Sequence, residues 1–218
     1  MGFNNNPGRT FAASQPDEKK KVSKSLILIL ALLTVAILWG VGVYNNLVTK
    51  QETVETSVGI VQTAYQKRAD LIPNLVASVK SYAEYESETL NAVVEARAKA
   101  TSTTIDAANM TAEQLNEFQA AQGQLSSALS RLLVTIEKYP DLKASQNYLD
   151  LHAQLEGCEN DIANARRQFN EAAQGYNTSL RRFPGNIVAN LFGFEKKPYF
   201  EASESAQQAP NVGDLFKE

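Results

Sequence analysis

A run of 25 positions, Ser25 to Thr49, holds no charged side chain and is bracketed by Lys19, Lys20, Lys21 and Lys24 before it and Lys50 after it. At 1.5 Å per residue, roughly 20 apolar residues as a helix cross a hydrocarbon core of about 30 Å, so residues 25–44 are expected to span a membrane and contact its lipid. Trp39 and Tyr44 fall near the far end, where amphipathic rings settle among headgroups, and the preceding lysines mark the cytoplasmic side. The expected placement is therefore a single pass through a membrane, N-terminus cytoplasmic, with the bulk of the chain outside the cytoplasm. Gly40-Val41-Gly42 after a basic segment also satisfies the small-x-small pattern of a cleaved signal, but the apolar stretch exceeds the usual signal core.

Four segments follow: a flexible tail over residues 1–24, the span over 25–44, one helical domain over 45–200, and a disordered tail over 201–218. The first tail carries Asn4-Asn5-Asn6-Pro7-Gly8 and few large apolar side chains. It also holds Arg9 and four lysines against Asp17 and Glu18, so the remainder is more acidic than the net charge of −3. Its basic residues come only as short pairs such as Arg166-Arg167 and Arg181-Arg182, which argues against nucleic acid. The single cysteine, Cys158, makes no internal disulfide and reads as a small core residue.

Beyond the membrane, three segments repeat apolar residues at steps of three and four, with no sustained strand-like alternation. The fold class is all-α: a transmembrane helix continuing into a long, coiled-coil-like antiparallel bundle of three to four helices. The first seam runs Leu47, Gln51, Val54, Val58, Val61, Tyr65, Arg68, Ile72, Leu75, Val79, Tyr82 and, less regularly, Leu90 and Val93. The second opens at Thr111, a hydroxyl cap with Gln114 three residues on, and places Leu115, Phe118, Leu125, Leu129, Leu132 and Ile136 inward. The third runs Tyr148, Leu151, Leu155, Cys158, Ile162, Ala165, Phe169, Ala172, Tyr176, Leu180 and Phe183.

Lengths then carry an expectation. A first helix from Asn45 to Ala100 spans about 80 Å, whereas the second spans about 40 Å, so the stripe Leu47, Val54, Val58, Val61, Tyr65 and Arg68 has no cover from its own chain. An exposed apolar stripe of that size calls for a partner. Other copies of the chain, forming a homo-oligomeric scaffold, are the expected cover, with another membrane protein as the alternative.

Pro73 inside the first helix removes one backbone bond and predicts a kink, with Ala69 O to be satisfied by Asn74 or the turn at 139–141. Arg68 on the seam suits a register or partner charge, paired with Asp70 or a neighbouring copy. Glu159, Asn160, Arg166 and Asn170 form, with Asp70, a candidate polar network or partner surface, because helix interiors disfavour asparagine without hydrogen bonds. His152 is the lone histidine, which removes a histidine-rich metal site or a catalytic triad. No catalytic residue, cofactor site or metal site is expected. The piece from Phe183 to Phe200, aromatic beside Lys196 and Lys197, suits either a membrane interface or a cap over the open end of the bundle; the up-down-up topology favours the cap.

Several of these runs carry a resemblance. Tyr44-Asn45-Asn46-Leu47-Val48, Arg68-Ala69-Asp70-Leu71-Ile72-Pro73-Asn74-Leu75-Val76, Glu95-Ala96-Arg97, Tyr139-Pro140-Asp141-Leu142-Lys143-Ala144 and Phe183-Pro184-x-Asn186 resemble the bacterial LemA family, as do Glu159-Asn160 through Phe169-Asn170 and Tyr199-Phe200. The likeness covers about residues 40–201. It implies one N-terminal membrane helix, an antiparallel helical domain and no established catalytic activity, and it names no ligand. Some relatives are associated with magnetosome membrane formation. Phe169 departs from the tyrosine common at that place.

Overall fold

The computed structural model describes Met1, residues 24–83 and residues 85–201, and the chain divides into two units, Met1–Gly40 and Val41–Glu218. The expected tails lie outside the described residues apart from Met1, Lys24 and Glu201. Among the described residues six helices appear in order: α1 Lys24–Lys80, α2 Ser87–Ser102, α3 Ala112–Ile136, α4 Pro140–Lys143, α5 Gln146–Arg181 and α6 Gly185–Phe192. No strand occurs among the described residues, and the all-α class read from the seams holds.

In the first unit, α1 exposes its apolar side chains, Leu28, Leu32, Val35 and Leu38 among them. The segment is long and apolar enough to cross a membrane.

The second unit corrects the length argument. The first helix does not reach Ala100. It ends at Lys80, and the chain reverses before Ser87. Neither glycine nor proline marks this turn. Ser81 Oγ donates to Ser78 O (2.7 Å), Tyr82 N donates to Val79 O (3.0 Å), and Tyr139 donates its hydroxyl to Glu86 Oε1 (3.1 Å). The Ser81 hydroxyl bonds a carbonyl of the last helical turn, a local bond that competes with continuing the helix.

After that turn α2 descends along α1, with Arg97 meeting Ala69 and Gln62 Nε2 donating to Ile105 O (2.9 Å). A loop capped by Asp106 leads into α3, where Thr111 and Gln114 form the expected capping box. The Asp106 carboxyl is held below the usual range chiefly by the Asn109 side chain. α3 climbs, Phe118 meeting the Tyr65 ring edge-on at 5.1 Å, and α4 makes the upper corner.

The descent of α5 is decisive. Its 36 residues, about 54 Å, equal the count from Asn45 to Lys80, so α5 returns along the whole of α1 within this unit. Lys67 to Asp161 (2.8 Å) and Arg68 to Glu159 (2.8 Å) fix the antiparallel register. The expectation that the α1 base lies bare is therefore overturned. Leu47, Val54, Val58 and Val61 are 0–1% exposed, Tyr65 is 6% exposed and Arg68 is 1% exposed, packed by Phe169, Ala173, Tyr176 and Leu180 of α5 and by Phe200. Their cover is the chain itself. A second cluster, Ile72, Leu75, Val79, Leu125, Leu132 and Ile136 among others, fills the upper half. Cys158 is a buried core residue, and burial pushes its thiol pKa up.

Pro73 lies within the helical span of α1, and the carbonyl it frees is satisfied by neither expected partner: Arg97 Nε donates to Ala69 O at 2.7 Å. Removing that donor orphans a buried acceptor, which costs about 1–3 kcal/mol. Arg97→Leu is expected to lower stability by about that amount, and by much less in a Pro73→Ala background, where the backbone N–H restored at that position reoccupies Ala69 O. Denaturant titration of the four proteins measures this coupling; equal costs in both backgrounds would contradict the assignment.

Candidate functional site

Three helices place a guanidinium where a seam residue of the first helix would ordinarily be aliphatic. Arg68 points from α1 between α3 and α5, over the Tyr65 ring at 5.2 Å. Its Nη1 donates to Ser126 Oγ (2.9 Å) and Glu159 Oε1 (2.8 Å), and its Nη2 donates to Gln122 Oε1 (2.8 Å). Gln122 is itself held by donating to Ala100 O (3.0 Å). The Arg68 Nε is buried with no partner among the described residues.

Burial pushes the Tyr65 hydroxyl's pKa up, while Arg166 and Arg68 pull it down. Arg68 is buried, but the Glu159 side chain is 55% exposed, so one end of the pair faces a groove of about 490 Å³. Gly123, Ser127, Ser130 and Arg166 are among the other residues that line it, with Gln119, Ile162 and Glu201. A larger cleft of about 730 Å³ on the other side of Tyr65 is bordered by Gln62, Thr63, Thr101 and Thr104 and presents no buried charge.

The expected polar residues separate into two sets. Glu159 and Arg166 belong to the groove. Asp70 does not: it is exposed and accepts from Gln66 Nε2 (2.6 Å), so Arg68 pairs with Glu159 and not with Asp70. Asn160 is exposed one residue beyond Glu159, turned off the groove by the helical period.

Asn170 serves another purpose. Its Nδ2 donates to Phe200 O (2.9 Å) and its Oδ1 accepts from Phe200 N (2.9 Å), while Asn177 treats Lys197 in the same way at 2.8 and 3.0 Å. Seven residues along a helix advance about 10.5 Å, close to three residues of extended chain, so the two asparagines grip residues 197 and 200 as a neighbouring strand would. Lys197 Nζ adds a bond to Ala108 O (2.7 Å), and Arg166 lies over the Phe200 ring and donates to Glu201 O (2.5 Å). Asn177→Ala orphans a backbone N–H and C=O together; the expected cost is about 2 kcal/mol, with accelerated amide exchange at Lys197 and little change in α3. Unchanged exchange at Lys197 would show the bracket to be dispensable.

Gln122, Ser126 and Ser130 are site residues that the seam pattern does not single out. Their signal is nonetheless present: Gly123, Ser126, Ser127 and Ser130 keep one face of α3 small and polar at steps of three and four, opposite its apolar seam. Among the described residues, no group of three or more His, Cys, Asp or Glu side chains is arranged to hold a metal ion. His152 stacks on Tyr148 at 5.7 Å and approaches Glu156 at 3.4 Å.

A model of the LemA family matches residues 57–213. Protein LemA of Metamycoplasma hominis is 26% identical over 196 residues, covering 89% of this chain and 86% of that protein. Magnetosome protein MamQ 2 of Paramagnetospirillum magneticum is 25% identical over 192 residues, covering 80% of this chain and 71% of its own length. Magnetosome protein MamQ of Magnetospirillum gryphiswaldense is 29% identical over 98 residues, 45% of this chain and 36% of that protein.

Proposed function

This chain belongs to the LemA family, and on that premise we propose that it serves, without catalysing a reaction, as a single-pass membrane adaptor whose helical domain holds a polar segment of another membrane protein. The observation that carries the reading is the groove at Arg68. The exposed Glu159 carboxylate, backed by the buried Arg68 guanidinium, and the serines of the rim give hydrogen-bonding groups to a partner while demanding little rearrangement of the bundle. A partner carboxylate competing with Glu159 would gain a charge-assisted bond from Nη1. A membrane protease or transporter is the class of partner in view, and the lysine asymmetry supports an N-terminus in the cytoplasm with the domain outside the inner membrane.

Self-assembly into a scaffold is the rival reading. Its main support is a bare α1 stripe, and that stripe is filled by α5, so a homo-oligomer would have to use another surface. Native mass of the full-length protein in detergent, with a photocrosslinker at Ser130 in cells, distinguishes the two. The adaptor reading expects a monomer-sized particle and a Ser130 crosslink to a different membrane protein. A large homo-assembly crosslinked through Ser130 would replace it with the scaffold.

A further inference from the structure

The up-down-up topology expected from the seams puts the end of the third long helix far from the bilayer; the fold places it beside the residue where the apolar span stops. α5 ends at Arg181, Gly185 opens α6, and Phe192 and Phe194 bring their rings to 4.9 and 5.5 Å from Tyr44. Two glycines make the return possible. A Cβ on Gly185 would meet Ser179 O at 2.1 Å, so only glycine allows α6 to fold back this tightly on α5, and Gly193 caps α6 with φ of +73°.

Tyr44 lies four residues past Gly40, so whatever the angle between the two units, chain geometry keeps it within about 14 Å of the glycine. Tyr44 also ends the apolar stretch expected to span the membrane, which puts it at the level of the headgroup layer, about 5–8 Å thick on each side of a 30 Å hydrocarbon core.

α6 itself is built for such a layer. Val188 and Ala189 are buried in the lower core, while Ile187, Leu191 and Phe192 are 56%, 75% and 59% exposed. Ile187 and Leu191 stand one turn apart on one face, and Asn186 and Asn190 are exposed beside them. A water-facing helix seldom exposes three large apolar side chains in eight residues. In the chain, exposed Arg181 and Arg182 precede α6 and exposed Lys196 follows it, against one exposed acid, Glu195, and basic residues next to an apolar helix suit an anionic lipid surface.

We infer that α6 is a second membrane contact: it lies in the lipid headgroup layer at the end of the span, with Ile187 and Leu191 entering the acyl boundary and the flanking basic residues at anionic headgroups. The domain is thereby held at the bilayer by two points, the helix it descends from and the helix it returns with. This contact is independent of the Arg68 groove and of what the groove binds.

The chain's single tryptophan, Trp39, makes a clean optical test possible. In a Trp39→Phe background, Leu191→Trp and Ile187→Trp report on α6, and Val134→Trp, 70% exposed on α3, reports on open solvent. The full-length proteins are reconstituted into vesicles of phosphatidylcholine and phosphatidylglycerol in equal parts, with and without bromine on the acyl chains. The α6 tryptophans are expected to emit to the blue of Val134→Trp and to be quenched more than about twofold by brominated lipid, as rings at the acyl boundary are. Water-like, unquenched emission from both α6 positions would overturn the inference. Blue-shifted but unquenched emission would overturn it too, because protein and not lipid would then cover the helix. Both α6 sites are exposed in the fold, and far-ultraviolet circular dichroism verifies that each protein is folded; either site alone suffices to read the outcome.

Discussion

Val58→Asp is expected to abolish the cooperative unfolding transition of the helical domain, leaving no folded protein from which a partner could be lost. Val58 is 1% exposed between Val54 and Val61, and Phe169, Ala173 and Tyr176 belong to the same core cluster. An aspartate there must either bury an unpaired charge or take up a proton, and it also loses the transfer energy of the valine. The penalty is several kcal/mol in a domain whose whole stability is about 5–15 kcal/mol. Ile60→Asp is the control two positions along the same helix. Ile60 is 45% exposed, and its replacement should cost within about 0.5 kcal/mol. Thermal melts of both full-length proteins in detergent read the difference. A Val58→Asp protein that melts normally but has lost an assembly would return the stripe to the role of an interface between molecules.

That contrast shows where the sequence is legible. Seam positions mostly are: eight of the eleven residues named for the third seam are buried, because a core-facing stripe is written directly in helix periodicity, while Leu151 and Ala172 are half-buried and Phe183, past the end of α5, is 74% exposed. The cap at Thr111 is legible for the same reason, a local rule acting over three residues. The turn between α1 and α2 is not. It lacks glycine and proline, it depends on Ser81 and on Tyr139 reaching from 53 residues away, and its only trace is the seam losing regularity near Leu90. From that one hidden reversal come the excess length of the first helix, the bare stripe and the misplaced end of α5. The asparagine brackets are half legible. The need for partners at Asn170 and Asn177 follows from helix physics, but their partners are backbone groups of an extended segment, which carries no periodic signal. Arg97 as the answer to Pro73 is hidden in the same way, since nothing local ties residue 97 to residue 69.

Arg68→Ala is the second large effect, and its size relative to two milder replacements reveals what the buried charge does. The guanidinium is 1% exposed and holds Ser126, Gln122 and Glu159 in one fork. Truncation leaves Gln122 Oε1 without its donor and a cavity where the side chain ran. Glu159, already half in water, rehydrates at little cost, which puts the loss at the lower end for a broken buried pair, about 3 kcal/mol. For a domain of this size that is a fall in Tm of about 6–12 °C. Arg68→Met refills much of the stem volume and relieves the desolvation of the charge, so it should cost about 1–2 kcal/mol. Arg68→Lys is no substitute, because one ammonium cannot reproduce a fork that reaches both α3 and α5. Glu159→Gln keeps an acceptor for Nη1 and touches only the solvated half of the pair, so about 0–1 kcal/mol is expected. The order Ala, then Met, then Glu159→Gln means that Arg68 is retained for the arrangement of α3 against α5 more than for the ion pair. Glu159→Gln costing as much as Arg68→Ala would reverse that conclusion and make the pair itself the element that closes the groove. If Arg68→Met keeps the fold but loses the Ser130 crosslink, the residue's charge is spent on the partner, since the bundle has then been shown to stand without it.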